Sequence, residues 1–195
     1  MLDTYGRKYV NPLIEVGAKF FLKMRLKANH ITFLALLIGI LTFIFIYFDM
    51  KYLAVIVLWI SGYLDAVDGA MARKSKNTTD FGTLMDITFD RIVEISVILA
   101  LAFKFEGIRM NLIVLTMCIL ISMTIFLTVG ALSEKKGIKS FYYQAGVAER
   151  TEGFILFSFM IIFTNYVGYI TNIFSLMIIV TVIQRMLEAK KILDK

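Results

Sequence analysis

Six apolar segments follow one another along the chain, near residues 31–48, 52–73, 81–103, 110–132, 150–165 and 167–187. Most of them approach the roughly 20 residues that an α-helix needs to cross the hydrocarbon of a bilayer. The connections at Asp49 to Lys51, Lys104 to Arg109 and Asn165 to Gly168 are a few residues long, as antiparallel neighbours require. Composition agrees: 59% of the 195 residues are hydrophobic, the mean hydropathy is +0.78, and there is one proline. A soluble domain is excluded, because such domains are only about 45–50% apolar. The expected fold is all-α: a polytopic membrane protein with six transmembrane helices over residues 29–195, preceded by a surface helix within residues 1–28.

In that first stretch Leu2, Tyr5, Tyr9, Leu13, Val16, Phe20 and Met24 recur at spacings of three and four, while Arg7, Lys8, Glu15 and Lys19 fall elsewhere around the turn. The pattern is that of an amphipathic helix lying on the membrane surface, or of a helix packed on the loops at that side. Asp3, Arg7, Lys8 and Glu15 interrupt any secretory signal and predict a cytosolic N-terminus. Lys51, Lys104 and Arg109 mark one side of the membrane. The other side takes nearly all the remaining basic residues: Arg7 to Lys27, Arg73, Lys74, Lys76, Lys135, Lys136, Lys139, Arg150, Arg185 and Lys190 to Lys195. Cytoplasmic flanks carry the basic excess, so both termini are expected in the cytosol and the protein in the cell membrane. Only Arg91 is left to a helix interior. The net charge of +6 is accounted for by topology and by attraction to anionic lipid, without any nucleic acid. Cys118 has no partner cysteine and reads as packing.

Against this apolar background the acids at the second and third spans stand out. The sequence reads LDAVDGAMARKSKNTTDFGTLMDITFDR, with Asp65 and Asp68 before a cytosolic loop and Asp86 and Asp90 after it. At about 1.5 Å per residue, Asp65 lies roughly 12 Å below Arg73, at or just under headgroup depth. At about 100° per residue, Asp68, Gly69 and Ala72 fall within about 60° of Asp65, and Gly82 and Asp90 within about 40° of Asp86. Each helix therefore carries a stripe of acids and small residues, and a hairpin can turn the two stripes toward each other.

An aspartate at mid-membrane costs about 2.5–3.5 kcal/mol. Divalent cations offset such a cost, and oxygen-only ligands suit Mg²⁺ or Mn²⁺. Facing carboxylate pairs suit two ions about 3.5–4 Å apart, the arrangement used in phosphoryl transfer. A buried ion-pair network with Arg91 is the structural alternative, although one arginine cannot neutralise four carboxylates. The glycines have two readings, close helix packing or room for a diphosphate.

The residues D-x-x-D-G-x-x-A-R, eight more positions, then G-x-x-x-D-x-x-x-D resemble the complete signature of the CDP-alcohol phosphotransferases. The resemblance implies transfer of a substituted phosphoryl group from a CDP-linked donor, with CDP-diacylglycerol favoured, to an alcohol, with release of CMP. It implies that Asp65, Asp68 and Asp86 hold metal and the CDP diphosphate, that Asp90 lies near metal, and that Asp90 is the general base. Gly69, Ala72 and Gly82 would admit the nucleotide. Arg73 would either help hold it or anchor the helix end by snorkelling. Where family members carry Pro-Asn-x-x-Thr this chain has Ala28, Asn29, His30, Ile31 and Thr32. Asn29 and Thr32 are expected to border the nucleotide, or Asn29 to cap an ordinary helix. His30 reads as an interfacial residue.

By the same resemblance Lys139 and Arg150 would grip the phosphate of a phosphorylated polyol such as glycerol 3-phosphate, although topology alone also places basic residues there. A homodimer is implied too. Other readings are transfer from CDP-choline or CDP-ethanolamine to diacylglycerol, a cation transporter with intramembrane aspartates, and a prenyltransferase. The transporter lacks the usual broken helix pairs, and the prenyltransferase fold normally repeats its acidic motif on a longer chain.

Overall fold

The computed structural model describes residues 7–133 and 146–194. Its helices are α1 (Arg7–Lys23), α2 (Ala28–Tyr47), α3 (Lys51–Lys74), α4 (Asp80–Lys104), α5 (Arg109–Leu132), α6 (Arg150–Ile162) and α7 (Val167–Leu193), with short 3₁₀ turns at Glu106–Ile108 and Thr164–Tyr166. The described residues contain no strand, and the apolar segments read from the sequence coincide with α2 to α7 within a few residues. Four of these stretches are long and apolar enough to cross a membrane: Ala28–Tyr47, Lys51–Lys74, Glu106–Leu132 and Thr164–Leu193. The remaining two depart from the simple pattern for different reasons. α4 has 25 residues but carries Asp86, Asp90, Arg91 and Glu94 along its length. α6 has 13 residues, about 20 Å at 1.5 Å per residue, against a core of about 30 Å.

The helices fall into two compact units, residues 5–106 and 107–195. In the first, α2 is the common partner, with α3 and α4 both packed closely along it. Its buried stripe is Ile31, Thr32, Ala35, Leu36, Gly39, Thr42 and Ile46, small residues alternating with larger ones. Its opposite face, with Phe33, Leu34, Leu37, Ile40, Leu41 and Ile44, is exposed and equally apolar, as expected where the solvent is lipid. At the far end of the unit from Arg73, Lys104 ties α4 to the α2–α3 turn: its ammonium donates to the Ile46 carbonyl at 3.2 Å and pairs with Asp49. That pairing holds the Asp49 carboxyl below the usual carboxylate range.

α1 docks on α3. Ala18, Ile14, Phe21 and Leu22 join a core with Ile31, Ala35, Leu64, Val67, Ala70 and Met71. Tyr63 donates its hydroxyl to the Leu13 carbonyl at 3.0 Å, and Lys74 pairs with Glu15, lowering the pKa of that carboxyl from its ordinary value. The docked face is not the stripe that the periodicity picked out. Leu13, Val16, Phe20 and Met24 are all more than half exposed and point away from the protein. The helix thus has one apolar face for the protein and a second left uncovered, which is how a helix seated at a lipid surface is built.

In the second unit α5 and α7 pack together and α6 packs on α7. Asn111 donates to Asn172 across α5 and α7 at 2.7 Å, and Phe157 of α6 meets Phe174 of α7 edge to face at 5.3 Å. Arg185, read from the sequence as a cytosolic flank residue, is instead buried inside α7. Its guanidinium donates to the Ser122 carbonyl at 3.1 Å and hydroxyl at 2.9 Å, and lies 5.0 Å above the Phe126 ring. A hydrogen-bonded, aromatic-stacked guanidinium can be buried at a cost that a hydrated ammonium cannot match.

The docking of α1 depends on Gly17. A Cβ there would stand 2.4 Å from the Tyr63 hydroxyl oxygen and 3.0 Å from a Val67 methyl. Gly17→Leu is therefore expected to weaken the docking by about 1–3 kcal/mol. Trypsin cleavage of the natively solubilised protein after Lys19 or Lys23 should then accelerate roughly tenfold, since cleavage follows the open population; an unchanged rate would show that docking does not need the close approach.

Candidate active site

α3 carries Asp65 and Asp68 on its buried side, at 8% and 4% exposure, amid Leu64, Val67 and Met71. α4 begins at a threonine cap: Thr79 Oγ1 accepts the Gly82 N–H at 3.0 Å, satisfying one of the free donors of the first turn. With the start fixed there, Asp86 and Asp90 fall on consecutive turns of one face, both half-buried.

Carboxylate oxygens of Asp65, Asp68 and Asp86 lie within 4.8 Å of one another. Oxygens bound to one cation at about 2.1–2.4 Å can be no further apart than about twice that distance, so the trio already sits at the spacing of a coordination site. Asp86 Oδ1 is buried without a hydrogen-bond partner among the described residues, an expensive state for a carboxylate oxygen that a cation would relieve. The two acidic stripes therefore meet as the helical geometry predicts, in a trio of Asp65, Asp68 and Asp86. Asp90 stands outside the trio, one turn further along α4. Arg91 is engaged elsewhere: its Nη1 pairs with Glu94 Oε2 at 2.6 Å on its own helix.

The small residues have separate surroundings. A Cβ on Gly69 would stand 3.3 Å from Nη1 of Arg73, so that guanidinium folds back one turn over the glycine instead of reaching past the helix end. The space that Gly69 opens on the acidic stripe is thus filled by the basic group expected to hold the nucleotide. Ala72, on the same stripe, is half-buried. A Cβ on Gly82 would lie 3.0 Å from Thr79 Oγ1 and 3.4 Å from Asn29 Oδ1, which brings the start of α2 beside the start of α4.

Asn29 does not cap α2. The cap is Lys27, whose N–H donates to His30 Nδ1 at 3.4 Å, and Asn29 is left exposed next to Gly82. The lone histidine thus closes the helix start. Thr32 is buried and turns its hydroxyl onto the Ala28 carbonyl at 3.1 Å, keeping its oxygen lone pairs as acceptors.

On the acceptor side, Lys139 lies outside the described residues. Arg150 opens α6 in the second unit, half-buried, with its guanidinium 5.6 Å above the Phe154 ring. The segment leading into it is fastened by two bonds: Glu149 Oε1 accepts the Gly146 N–H at 3.0 Å, and Thr181 Oγ1 of α7 accepts the Ala148 N–H at 2.9 Å. Glu149 and Glu152, on either side of Arg150, are buried. A charge pattern alone does not distinguish a solvated acid from one that accepts a backbone N–H indoors. A signal for Thr181 did exist, a hydroxyl residue inside an apolar span, but such residues usually bond within their own helix.

Comparisons with known proteins agree with this arrangement. Residues 25–184 match the family of CDP-alcohol phosphatidyltransferases. The chain is 30% identical over 194 residues to the archaetidylinositol phosphate synthase of Pyrococcus horikoshii, covering 100% of this chain and 99% of that one. Among solved structures, the phosphatidylinositol phosphate synthase of Mycobacterium tuberculosis with CDP-DAG bound superposes with a TM-score of 0.73 at 19% identity, covering 89% of this chain and 91% of that one. The same protein in complex with manganese and citrate gives 0.72 at 19% identity, covering 88% and 86%. The chain belongs to the CDP-alcohol phosphatidyltransferase family and is a multi-pass membrane enzyme of that class.

Proposed function

We propose that this enzyme transfers the phosphatidyl-type group of a CDP-linked lipid to a hydroxyl of an inositol phosphate, releasing CMP. The observation that carries the reading is the trio of Asp65, Asp68 and Asp86, drawn from two helices to within 4.8 Å inside the family's signature. The acceptor is argued from the relatives. The P. horikoshii protein is an archaetidylinositol phosphate synthase and the structural neighbour a phosphatidylinositol phosphate synthase, so an inositol phosphate takes the place of glycerol 3-phosphate as the phosphorylated polyol.

In this reading the trio holds Mg²⁺ or Mn²⁺, two ions when Asp90 contributes, against the diphosphate of the donor. Bound metal would neutralise charge that develops on the bridging and leaving oxygens. The acceptor hydroxyl oxygen forms a bond to the lipid-bearing phosphorus as the bond from that phosphorus to the CMP oxygen breaks. Asp90, left out of the trio, takes the hydroxyl proton. Gly69, Ala72, Arg73, Gly82, Asn29 and Thr32 surround the CDP moiety, and Arg150 with Lys139 grips the acceptor phosphate. All of α2 to α7 cross the membrane as one catalytic domain over residues 29–195, with residues 1–28 on its surface. Both termini and the site face the cytosol, and the enzyme works as a homodimer, as the family resemblance implies.

The deciding experiment is an acceptor screen with purified protein, CDP-diacylglycerol or its archaeal ether counterpart, and Mn²⁺, reading CMP and the lipid product by mass. Inositol phosphate should give product, and glycerol 3-phosphate, serine and unphosphorylated inositol should give little; product from glycerol 3-phosphate alone would reverse the assignment. In Arg150→Ala the KM for inositol phosphate should rise about tenfold or more with the donor KM unchanged, since a charge-assisted phosphate contact is worth about 1.5–3 kcal/mol. Asp90→Asn should lower kcat by about 10²–10⁴-fold while still binding Mn²⁺; CMP release at the parent rate would exclude it as the base.

The trio also makes a prediction about stability. Without metal, like charges held together by the fold oppose it. Metal-free Asp86→Asn should therefore melt a few degrees above the metal-free parent, at about 2–4 °C per kcal/mol for a chain of this size. It should also lose the rise in Tm that Mn²⁺ gives the parent. A thermal shift with Mn²⁺ equal to the parent's would remove Asp86 from the metal site.

A further inference from the structure

The sequence suggests that the two aspartate-bearing helices close on each other, but their backbones do not. α3 and α4 each pack closely along α2 and keep a wider separation from one another. The gap between them, which the carboxylates fill, must therefore be set by what each helix meets on α2.

One point on α2 meets both. Ser61, one turn from Asp65 on α3, is buried and donates its hydroxyl to the Ala35 carbonyl of α2 at 2.8 Å. One turn beyond Ala35 on α2 lies Gly39. A Cβ built on it would stand 2.7 Å from Ser61 Oγ and 2.4 Å and 3.0 Å from the two methyls of Val93. Val93 is buried on α4, three residues past Asp90. The missing side chain of Gly39 thus leaves the two motif helices resting against the same stretch of backbone.

These neighbours cannot easily give way. Valine on a helix has one strongly preferred rotamer, so its methyls do not swing aside, and the Ser61 hydroxyl is tied to Ala35. A side chain at position 39 would move the helices themselves. The shortfall from ordinary carbon contact is about 1 Å, whereas metal coordination tolerates about 0.2 Å. Asp65 is only about 6 Å along a rigid helix from Ser61, so the displacement reaches the carboxylates.

We propose that Gly39 is a positioning residue for the metal site, fixing through Ser61 and Val93 the gap between the two aspartate helices. The inference rests on the reading that the trio holds a divalent cation. Its test is Mn²⁺ binding to the purified full chain without any CDP compound, followed by the electron paramagnetic resonance signal of free Mn²⁺. Gly39→Ala should raise the binding midpoint about ten- to hundredfold, the range for losing a group that orients metal ligands. Gly39→Ala combined with Val93→Ala, which removes the colliding methyls and leaves only the contact with Ser61 Oγ, should recover part of that loss.

A Gly39→Ala protein that melts earlier yet binds Mn²⁺ at the parent's midpoint would overturn the proposal, leaving Gly39 as packing only. If Gly39→Ala does not accumulate as folded protein, Ser61→Ala carries the test, because it cuts the tie to Ala35 without adding atoms. Its midpoint should rise roughly three- to tenfold, the worth of one buried hydrogen bond, and an unchanged midpoint would equally overturn the proposal. A parent that takes up no Mn²⁺ overturns the metal reading itself, an outcome distinct from a parent that binds and a variant that binds as well.

Discussion

Carboxylates on facing helices repel, and in a membrane there is little water to screen them, so an acidic cluster drawn from two spans has to be held together by something other than itself. Here that role falls to α2. Both aspartate-bearing helices lie along its small-residue stripe. Helix association in lipid gains little from the hydrophobic effect and relies on close packing and on hydrogen bonds between helices. The Ser61 to Ala35 bond and the bare backbone at Gly39 supply one of each at the same level of the unit. The remaining ties clamp the periphery: Lys104 fastens the end remote from the acids, and Tyr63 and Lys74 fasten α1 to the back of α3.

Much of this is legible in the sequence because the bilayer imposes such strict conditions. Apolar runs give the helices within a few residues, since a spanning backbone must satisfy its hydrogen bonds internally. Aspartates at three- and four-residue spacing inside those runs give a stripe, and two stripes joined by a short loop give a cluster of acids. The division within the four acids is not legible, because angular position alone gives Asp90 the same standing on α4 as Gly82. Separating Asp90 from the trio requires the depth and tilt of α4 relative to α3, which local periodicity does not contain.

What periodicity and charge leave open is which neighbour a given face or residue meets. α1 is apolar over a wide arc. The described part of its three-four stripe is uncovered, as the surface-helix reading expects, while Ile14, Ala18, Phe21 and Leu22 make the protein contact because Gly17 lets Tyr63 approach there. Arg185 counts as a flank residue by charge alone, and only the position of Ser122 and Phe126 on α5 makes it an interior one. Asn29 has the right chemistry for a cap, but Lys27 caps the helix two residues earlier with His30, which frees Asn29 to lie beside Gly82. For α1 and Arg185 the deciding partner comes from another helix; for Asn29 it is its own helix's Lys27 and His30.

Related enzymes with different acceptors can share one scaffold when the groups they differ in are held apart from those they share. The described contacts that position the acidic trio lie within residues 5–106, where α2 organises α3 and α4. Arg150 and the bonds that fix its approach, through Glu149 and Thr181, belong to the other unit. The aspartates and Arg150 are thus each held by contacts internal to their own unit. Specificity for one alcohol over another needs polar groups that are left unsatisfied by the wrong partner. A basic residue at the mouth of α6, anchored through backbone bonds to α7, can be exchanged there without disturbing the small-residue stripe on which the aspartates depend.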